Sequence, residues 1–214
     1  LMLLAAVERF SPEAYLAACK RAVETGDSWR VQTLVKESEG RLSEPLPSLH
    51  GEVILYAYTN DCRNIAKDLI AQCTPEQIVA APPILLRQAA ERLDLQTAMT
   101  LVDKGIQPGN YAADVLHTLT GQHQDWMAEQ LLEHGMPVAP DNYAAIYVCL
   151  NQKSAGIAKL LLDRGIDLDQ YRTWAEKYPK NEGYEEAMEE LTSYWEKQQS
   201  GPQQDGPSMG DMHL

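Results

Sequence analysis

The sequence has few cysteines and no long apolar run. Its four cysteines form neither a CxxC motif nor a Cys/His spacing typical of a zinc site, so we expect free thiols in a reducing compartment. The apolar opening LMLLAAV is only seven residues long and has no charged region before it, which argues against a membrane span or a secretory signal. These absences predict an intracellular protein, cytoplasmic or nuclear, with no membrane partner.

Positive charge is also scarce. The chain has 18 Lys and Arg against 31 Asp and Glu, and its net charge is −13. Because an acidic chain repels phosphate backbones and no local basic patch is present, we expect no nucleic-acid binding. The same charge favours a basic protein partner.

Recognisable catalytic motifs are missing. The five histidines make no HExxH pattern, and no GxSxG, P-loop or GxGxxG sequence occurs. We therefore expect a non-catalytic protein with no cofactor and no metal site. The alternative is an enzyme or small-molecule binder, since His117 and Cys149 fall on neighbouring predicted helices. Its polar pocket would use four residues: His117, Tyr143, Tyr147 and Cys149.

What the sequence does contain is a repeat. One octet recurs at an interval of 30 residues: Ala98–Gly105 (AMTLVDKG), Ala128–Gly135 (AEQLLEHG) and Ala158–Gly165 (AKLLLDRG). In each octet the Ala and two aliphatic residues at i, i+3 and i+4 share one helix face, and the Gly suits a left-handed helix end. The preceding Lys, His or Arg lies near the negative end of the helix dipole. A fixed period predicts stacked repeats.

Similar periodicity and capping signals predict about six helix pairs between residues 11 and 198. The pairs are 12–24 with 28–38, 52–59 with 64–72, 84–92 with 95–104, 111–119 with 125–134, 143–150 with 155–164, and 171–178 with 184–198. The last pair is charged and aromatic, as a polar C-terminal cap should be. We expect an all-α solenoid, with residues 1–10 as the end of an earlier helix and 199–214 as a disordered tail.

The run Ala89–Gly105, AAERLDLQTAMTLVDKG, resembles an ankyrin repeat, whose period is near 33 residues. Lys20–Val35 and Leu116-His117 are similar to parts of the same repeat, and the resemblance covers roughly residues 12–178. The chain lacks Thr-Pro-Leu-His and has lost the helix–helix Gly in four of six pairs, so its repeats are degenerate. The period and the Gly that follows the second helix in the three octets argue against tetratricopeptide and HEAT-like arrays.

The ankyrin resemblance implies that finger turns and first helices line a concave partner surface. The implied fingers are 106–110, 136–142 and 166–170, each leading into a tyrosine: Tyr111, Tyr143 and Tyr171. Asn110-Tyr111-Ala112-Ala113 recurs as Asn142-Tyr143-Ala144-Ala145. The tyrosines would either pack finger against helix or form an exposed row of interface anchors. The asparagines would serve as N-caps.

Several other residues have the same two interpretations. Trp126 and Trp174 are either packing or hot-spot residues. Asp141, Asp167 and Asp169 are either an acidic rim or solvated turn residues. The predicted partner-binding set is Asn110, Tyr111, His117, Trp126, Asp141, Asn142, Tyr143, Tyr147, Asp169, Tyr171 and Trp174.

The function predicted from sequence is a monomeric module or scaffold that binds a protein partner without catalysis. Besides the enzyme alternative, the chain could be a repeat segment of a larger multidomain protein.

Overall fold

The computed structural model describes residues 11–41 and 49–200. Every regular element in these residues is a helix, and there are thirteen of them. They are α1 (Pro12–Glu24), α2 (Ser28–Arg41), α3 (Leu49–Thr59), α4 (Arg63–Gln72), α5 (Pro75–Val79), α6 (Ile84–Glu91), α7 (Leu95–Asp103), α8 (Tyr111–Gly121), α9 (Asp125–Glu133), α10 (Tyr143–Asn151), α11 (Ala155–Asp163), α12 (Leu168–Ala175) and α13 (Tyr184–Gln199). The prediction of an all-α chain is confirmed for this part.

Local sequence sets where these helices begin. The Ser11 side chain caps α1, with Pro12 in its first turn. Thr74 and Gln77 form a capping box at α5, and each side chain satisfies a backbone N–H of the other residue. The Asp94 carboxylate caps α7 by accepting from the backbone N–H of Thr97 at 3.3 Å. These capping residues therefore define where each helix begins, which apolar periodicity alone does not determine.

The helices lie in two rows, with α5 as an extra turn that packs on α3. Neighbouring members of the first-helix row contact one another in the order α1, α3, α6, α8, α10 and α12. Neighbouring members of the second-helix row do the same in the order α2, α4, α7, α9, α11 and α13. Cross-contacts join α1 to α2, α3 to α4, α6 to α7, α8 to α9, and α10 to α11. At the end of the chain α13 packs on α10 and α11.

Repeated Ala and Leu side chains fill the core along the second-helix row. Each helix from α4 to α13 in this row buries an Ala and, three or four residues later, a Leu. The alanines are Ala66, Ala98, Ala128, Ala158 and Ala187, and the leucines are Leu69, Leu101, Leu131, Leu161 and Leu191. Leu34 holds the same position in α2 but is only half-buried. The small Ala allows close helix approach and the Leu fills the gap.

Two sets of turns end the helices in the left-handed region. After the second helices, Gly105, Gly135 and Gly165 have φ near +90°, as the octet predicts. After the first helices, Gly26 has φ +68°, and four other residues take the same role without Gly: Asp61, Leu93, His123 and Lys153, with φ between +53° and +61°. The backbone hydrogen bonds of all five turns follow one pattern. The same turn conformation therefore forms at these positions with or without Gly.

The basic residue before each Gly does more than face its own helix end. Lys104 Nζ donates to the carbonyl oxygens of Ile70, Ala71 and Cys73 at the end of α4, at 2.7–3.0 Å. Arg164 likewise donates to the Leu132 carbonyl oxygen near the end of α9. The His134 ring meets the Asp103 carboxylate, the last residue of α7, at 3.2 Å. Lys104 and Arg164 therefore satisfy carbonyl oxygens at the end of the preceding second helix, whereas His134 contacts only a side chain there.

The final pair departs from the prediction. Its first helix begins at Leu168 rather than at residue 171, because the Asp167 carboxylate caps it by accepting from the backbone N–H of Gln170 at 2.8 Å. The expected third finger, 166–170, is thus mostly helical. The predicted N-terminal helix end (1–10) and the predicted tail beyond Ser200 lie outside the described residues, as do residues 42–48. No helix in the described ranges is long and apolar enough to span a membrane.

Candidate partner-binding surface

Six aromatic rings gather at the C-terminal end of the first-helix row. Two are on α10, two on α12, one follows α12, and one begins α13. We call them the aromatic cluster: Tyr143, Tyr147, Tyr171, Trp174, Tyr178 and Tyr184. Trp174 is at its centre, with ring centroids 4.4 Å from Tyr178, 6.0 Å from Tyr147, 6.1 Å from Tyr143 and 6.3 Å from Tyr171. The tilted and edge-on angles are those that aromatic pairs prefer.

Spacing along the helices explains how these rings meet. Tyr143 and Tyr147 are four residues apart on α10, so both lie on one face of the helix. Tyr171 and Trp174 are three apart on α12, and Tyr178 follows four residues later. Because α10 and α12 pack side by side, the two aromatic faces come together.

Four of the five phenolic hydroxyls in the cluster, all but that of Tyr178, are hydrogen-bonded within the described residues. Tyr143 donates to Gln170 Oε1 at 2.7 Å, and Tyr147 donates to the Pro179 carbonyl oxygen. The hydroxyls of Tyr171 and Tyr184 lie 2.7 Å apart in the core, and burial raises the pKa of both phenols. These bonds orient the rings of Tyr143, Tyr147, Tyr171 and Tyr184, and Tyr178 is held by ring packing against Trp174.

Exposure divides the cluster into a buried base and an open surface. Tyr171 is fully buried and Tyr184 nearly so, whereas Tyr143, Tyr147 and Trp174 are half-buried. Tyr178 is 37% exposed. The prediction that Tyr171 lines the partner surface is therefore corrected: its ring packs beneath Trp174, and its side chain has no exposed area for a partner to contact.

The repeated Asn-Tyr-Ala-Ala motif does not mark equivalent positions. Tyr111 precedes the left-handed turn residue His123 by twelve residues, whereas Tyr143 precedes Lys153 by ten. The two tyrosines therefore lie at different heights on their helices. Tyr111 is half-buried and is not among the rings that contact one another in the described part of the chain. Of the two interpretations of Tyr111, Tyr143 and Tyr171, an exposed row of three equivalent tyrosines is therefore not what the structure forms.

The asparagines of this motif do not cap helices as predicted. Asn110 and Asn142 occupy the N-cap positions of α8 and α10, but neither side chain makes a capping hydrogen bond. Asn110 has helical φ and ψ, which point its side chain away from the first-turn N–H groups. The Asn142 amide nitrogen is buried without a hydrogen-bond partner among the described residues.

The predicted acidic residues have different surroundings. Asp141 is exposed and makes no ion pair within the described ranges. Asp169 is exposed on α12, one turn from Arg172, and pairs with its guanidinium at 3.0 Å. Asp169 is therefore not on a finger tip, and Asp167 is a cap rather than a free rim charge.

Trp126 lies on the other row. It is 54% exposed on α9, and its indole N–H donates to Gln124 Oε1 at 2.8 Å. It therefore belongs to the second-helix row and lies apart from the aromatic cluster.

No side-chain hydrogen bond joins the residues of the enzyme alternative to one another within the described ranges. His117 is exposed on α8, while Cys149 is fully buried on α10, and burial raises the pKa of its thiol. A raised thiol pKa leaves little thiolate for nucleophilic attack. One cavity of about 350 Å³ lies beside Gly26 and Cys62, and another of about 380 Å³ lies beside α13. Neither cavity is lined by a residue of the enzyme alternative. Within the described ranges no group of three His, Cys, Asp or Glu residues could hold a metal ion.

Two members of the cluster, Tyr178 and Tyr184, were not among the residues predicted from sequence. For Tyr178 the signal is the spacing Tyr171, Trp174, Tyr178, which places rings at i, i+3 and i+7 of one helical face. Tyr184 has no such signal, because a connection of eight residues separates it from α12.

Comparison of the chain with family models, with curated proteins and with solved structures gives no match. The functional interpretation therefore depends on the geometry described above.

Proposed function

We propose that the chain is an ankyrin-like repeat solenoid that binds a protein partner without catalysis. The partner would contact the first-helix row, with the open surface of the aromatic cluster as its centre. The observation that supports this proposal is the exposed Tyr178 stacked at 4.4 Å on a half-buried Trp174, next to tyrosines whose hydroxyls are hydrogen-bonded. Tryptophan and tyrosine are enriched among the residues that anchor protein interfaces.

The two rows of helices support the repeat part of the proposal. Five cross-contacting pairs, left-handed turns after both kinds of helix and the repeated Ala–Leu core are features that an ankyrin-like array would have. The degenerate sequence, without Thr-Pro-Leu-His, would then be an ankyrin variant that keeps its turn geometry through other residues. As a rigid stack it would bind as a monomer and lose little conformational entropy on association.

The test is selection of partners with the full chain immobilised. A library of displayed protein segments would be selected on the unmodified protein and then re-bound to the Tyr178→Ala and Trp126→Ala variants. Both substitutions remove an exposed aromatic ring, but they lie on opposite rows, so Trp126→Ala is the matched control. Thermal unfolding would confirm that both variants keep the fold.

We expect selected segments to bind Tyr178→Ala about thirtyfold more weakly, which corresponds to a hot-spot loss of about 2 kcal/mol, and to bind Trp126→Ala unchanged. A loss confined to Trp126→Ala would move the interface to the second-helix row and refute the proposed surface. Failure to enrich any segment would refute the binding-module function.

A further inference from the structure

We propose that Tyr178 is a phosphorylation site, at which a protein tyrosine kinase transfers the terminal phosphoryl group of a nucleoside triphosphate to the phenol. Three observations carry the proposal: a hydroxyl without a hydrogen bond among the described residues, the exposed connection that holds it, and the ammonium groups of Lys177 and Lys180 beside it. The inference goes beyond the proposed function and does not depend on it.

Tyr178 differs from the other tyrosines in the surroundings of its hydroxyl. All ten tyrosines lie in the described residues, and Tyr178 is the exposed one. Four hydroxyls are hydrogen-bonded in the aromatic cluster, and three donate to carboxylates: Tyr56 to Glu24, Tyr58 to Asp94 and Tyr194 to Asp163. A phosphate at any of those three would be repelled by a neighbouring negative charge. Besides the buried Tyr15, this leaves Tyr111 and Tyr178.

Ammonium groups lie beside Tyr178. Lys177 Nζ is 5.3 Å from the centroid of its ring, and Lys180 Nζ is 5.0 Å from that of the neighbouring Tyr184. Lys180 pairs with Glu185 at 3.2 Å, whereas no carboxylate pairs with Lys177 in the part of the chain that the structure describes. A phosphotyrosine carries close to two negative charges at neutral pH, and the flexible lysine stem lets an ammonium reach them. Lys177 is therefore placed to pair with a phosphate on Tyr178.

A lysine over the ring is not sufficient by itself. Lys20 lies 5.1 Å from the ring centroid of Tyr56, and Lys159 lies 5.6 Å from that of Tyr194. Both of those hydroxyls already donate to a carboxylate. Among the ten tyrosines, Tyr178 alone combines a nearby ammonium with a hydroxyl that has no hydrogen-bond partner in the described ranges.

The position of Tyr178 in the chain also suits a kinase. Residues 176–183 join α12 to α13 without forming a helix, and seven of these eight residues are exposed. A modifying enzyme has to reach the backbone around the tyrosine as well as its ring, and an exposed irregular segment opens at lower cost than a helix. Tyr111, the first residue of α8, is half-buried and gives the matched comparison.

The transfer needs no group of this chain besides the phenol. The Tyr178 oxygen forms a bond to the terminal phosphorus while the bond from that phosphorus to its bridging oxygen breaks. A nucleoside diphosphate leaves, and the phenolic proton passes to a base of the kinase. Because the Tyr178 hydroxyl donates to no described residue, no internal hydrogen bond of that hydroxyl has to break first.

The experiment treats the full chain with magnesium ATP and a tyrosine kinase catalytic domain that phosphorylates two reference peptides, residues 174–182 and 107–115. Mass spectrometry measures the rate at each tyrosine, and dividing by the peptide rate cancels the sequence preference of the kinase. We expect this ratio to be about tenfold higher for Tyr178 than for Tyr111, since α8 must open at Tyr111. Tyr178→Phe should remove most of the phosphate, and Tyr111→Phe little.

Phosphorus NMR of the phosphorylated chain tests the lysine contact. Phosphotyrosine has a second pKa of about 6, and a nearby ammonium lowers this pKa because it stabilises the dianion. Lys177→Gln should therefore raise the phosphate pKa by about 0.5, the effect of one charge a few ångströms away in water. Lys36→Gln, on α2, is the control for loss of a distant lysine and should leave the pKa unchanged.

Two outcomes would overturn the inference. A ratio for Tyr178 no higher than that for Tyr111 would show that the connection is not the preferred acceptor. A phosphate pKa that Lys177→Gln does not change would show that this lysine does not meet the phosphate. Failure of the proposed function would produce neither outcome, because both measurements are made without a partner.

Discussion

The two rows of helices use their residues differently. In the second-helix row, the same buried Ala and Leu positions recur from α4 to α13, and the turns that follow α7, α9 and α11 share one left-handed Gly. In the first-helix row, exposed side chains change from one helix to the next, from the Tyr56–Glu24 hydrogen bond of 2.5 Å near one end to the aromatic cluster at the other. The repeated buried residues therefore hold the stack together, while the side chains that vary along the first-helix row form the aromatic cluster at one end.

The largest effect on stability should come from truncating a buried leucine in the second-helix row. Leu131→Ala removes a fully buried side chain in α9 that packs between α7, α8 and α11. Because the surrounding helices close only part of the cavity, we expect a loss of about 2–5 kcal/mol in the free energy of unfolding. Urea denaturation followed by circular dichroism measures it.

Leu34→Ala in α2 is the matched comparison. This leucine occupies the same repeat position but is half-buried, so its loss should cost clearly less than that of Leu131. Equal costs for the two substitutions would show that burial in the middle of the row does not determine the contribution of these leucines.

A second, smaller effect should appear at alkaline pH, where a contact joins the two rows. The Tyr58 hydroxyl on α3 donates to the Asp94 carboxylate, the cap of α7, at 3.1 Å. Burial raises the pKa of Tyr58 to about 12 from its ordinary value of 10.0. The folded protein thus keeps this proton in a range where the unfolded chain loses it, so the stabilisation is complete below pH 10 and declines as pH rises towards 12.

Tyr58→Phe isolates this contribution. Between pH 9 and pH 11 the unfolding free energy of the unmodified protein should fall by about 1 kcal/mol more than that of the variant, because other titrating groups are common to both. Parallel pH profiles for the two proteins would contradict the assigned pKa.

The smallest effect concerns the turns after the first helices. His123 is exposed and has φ +58°, a conformation that costs a side chain about 1–2 kcal/mol and glycine almost nothing. Glycine also loses more backbone entropy on folding, so His123→Gly should stabilise the protein by about 0.5–1 kcal/mol net. Thermal and urea unfolding measure the change.

Gln122→Gly is the neighbouring control. Gln122 has φ −95°, where glycine brings only its entropic cost, so this substitution should destabilise the protein. Destabilisation by both substitutions would show that the His123 conformation is not strained.

Periodic sequence features predicted the helical architecture well. The octet located the buried faces and Gly ends of α7, α9 and α11, since burial and φ > 0 are local demands that particular residues meet. The non-Gly turns at Leu93 and Lys153 were not predicted. The helices on either side impose this conformation, and Leu and Lys are not residue types that predict it.

The candidate surface was only partly predictable. Tyr143, Tyr147 and Trp174 were named from sequence, but the match of Asn110-Tyr111 with Asn142-Tyr143 suggested an alignment that the helices do not follow. The predicted fingers 106–110 and 136–142 differ in length, and this difference shifts the two tyrosines relative to the turns. The shared four-residue motif Asn-Tyr-Ala-Ala does not reveal that shift. The Tyr171–Tyr184 contact depends on how α13 returns to α10, which is a tertiary property.

The side chains that complete the preceding helix end give the stack a direction. Lys104 serves α4 and Arg164 serves α9, so at these two places a helix end depends on the pair that follows it in the chain. Deleting from the C-terminal side the pair that carries Lys104 or Arg164 would remove the donor from the helix end before it, whereas a deletion from the N-terminal side that keeps α4 or α9 also keeps its donor. Shortened versions of this protein should therefore tolerate loss at the start of the array better than loss at its finish.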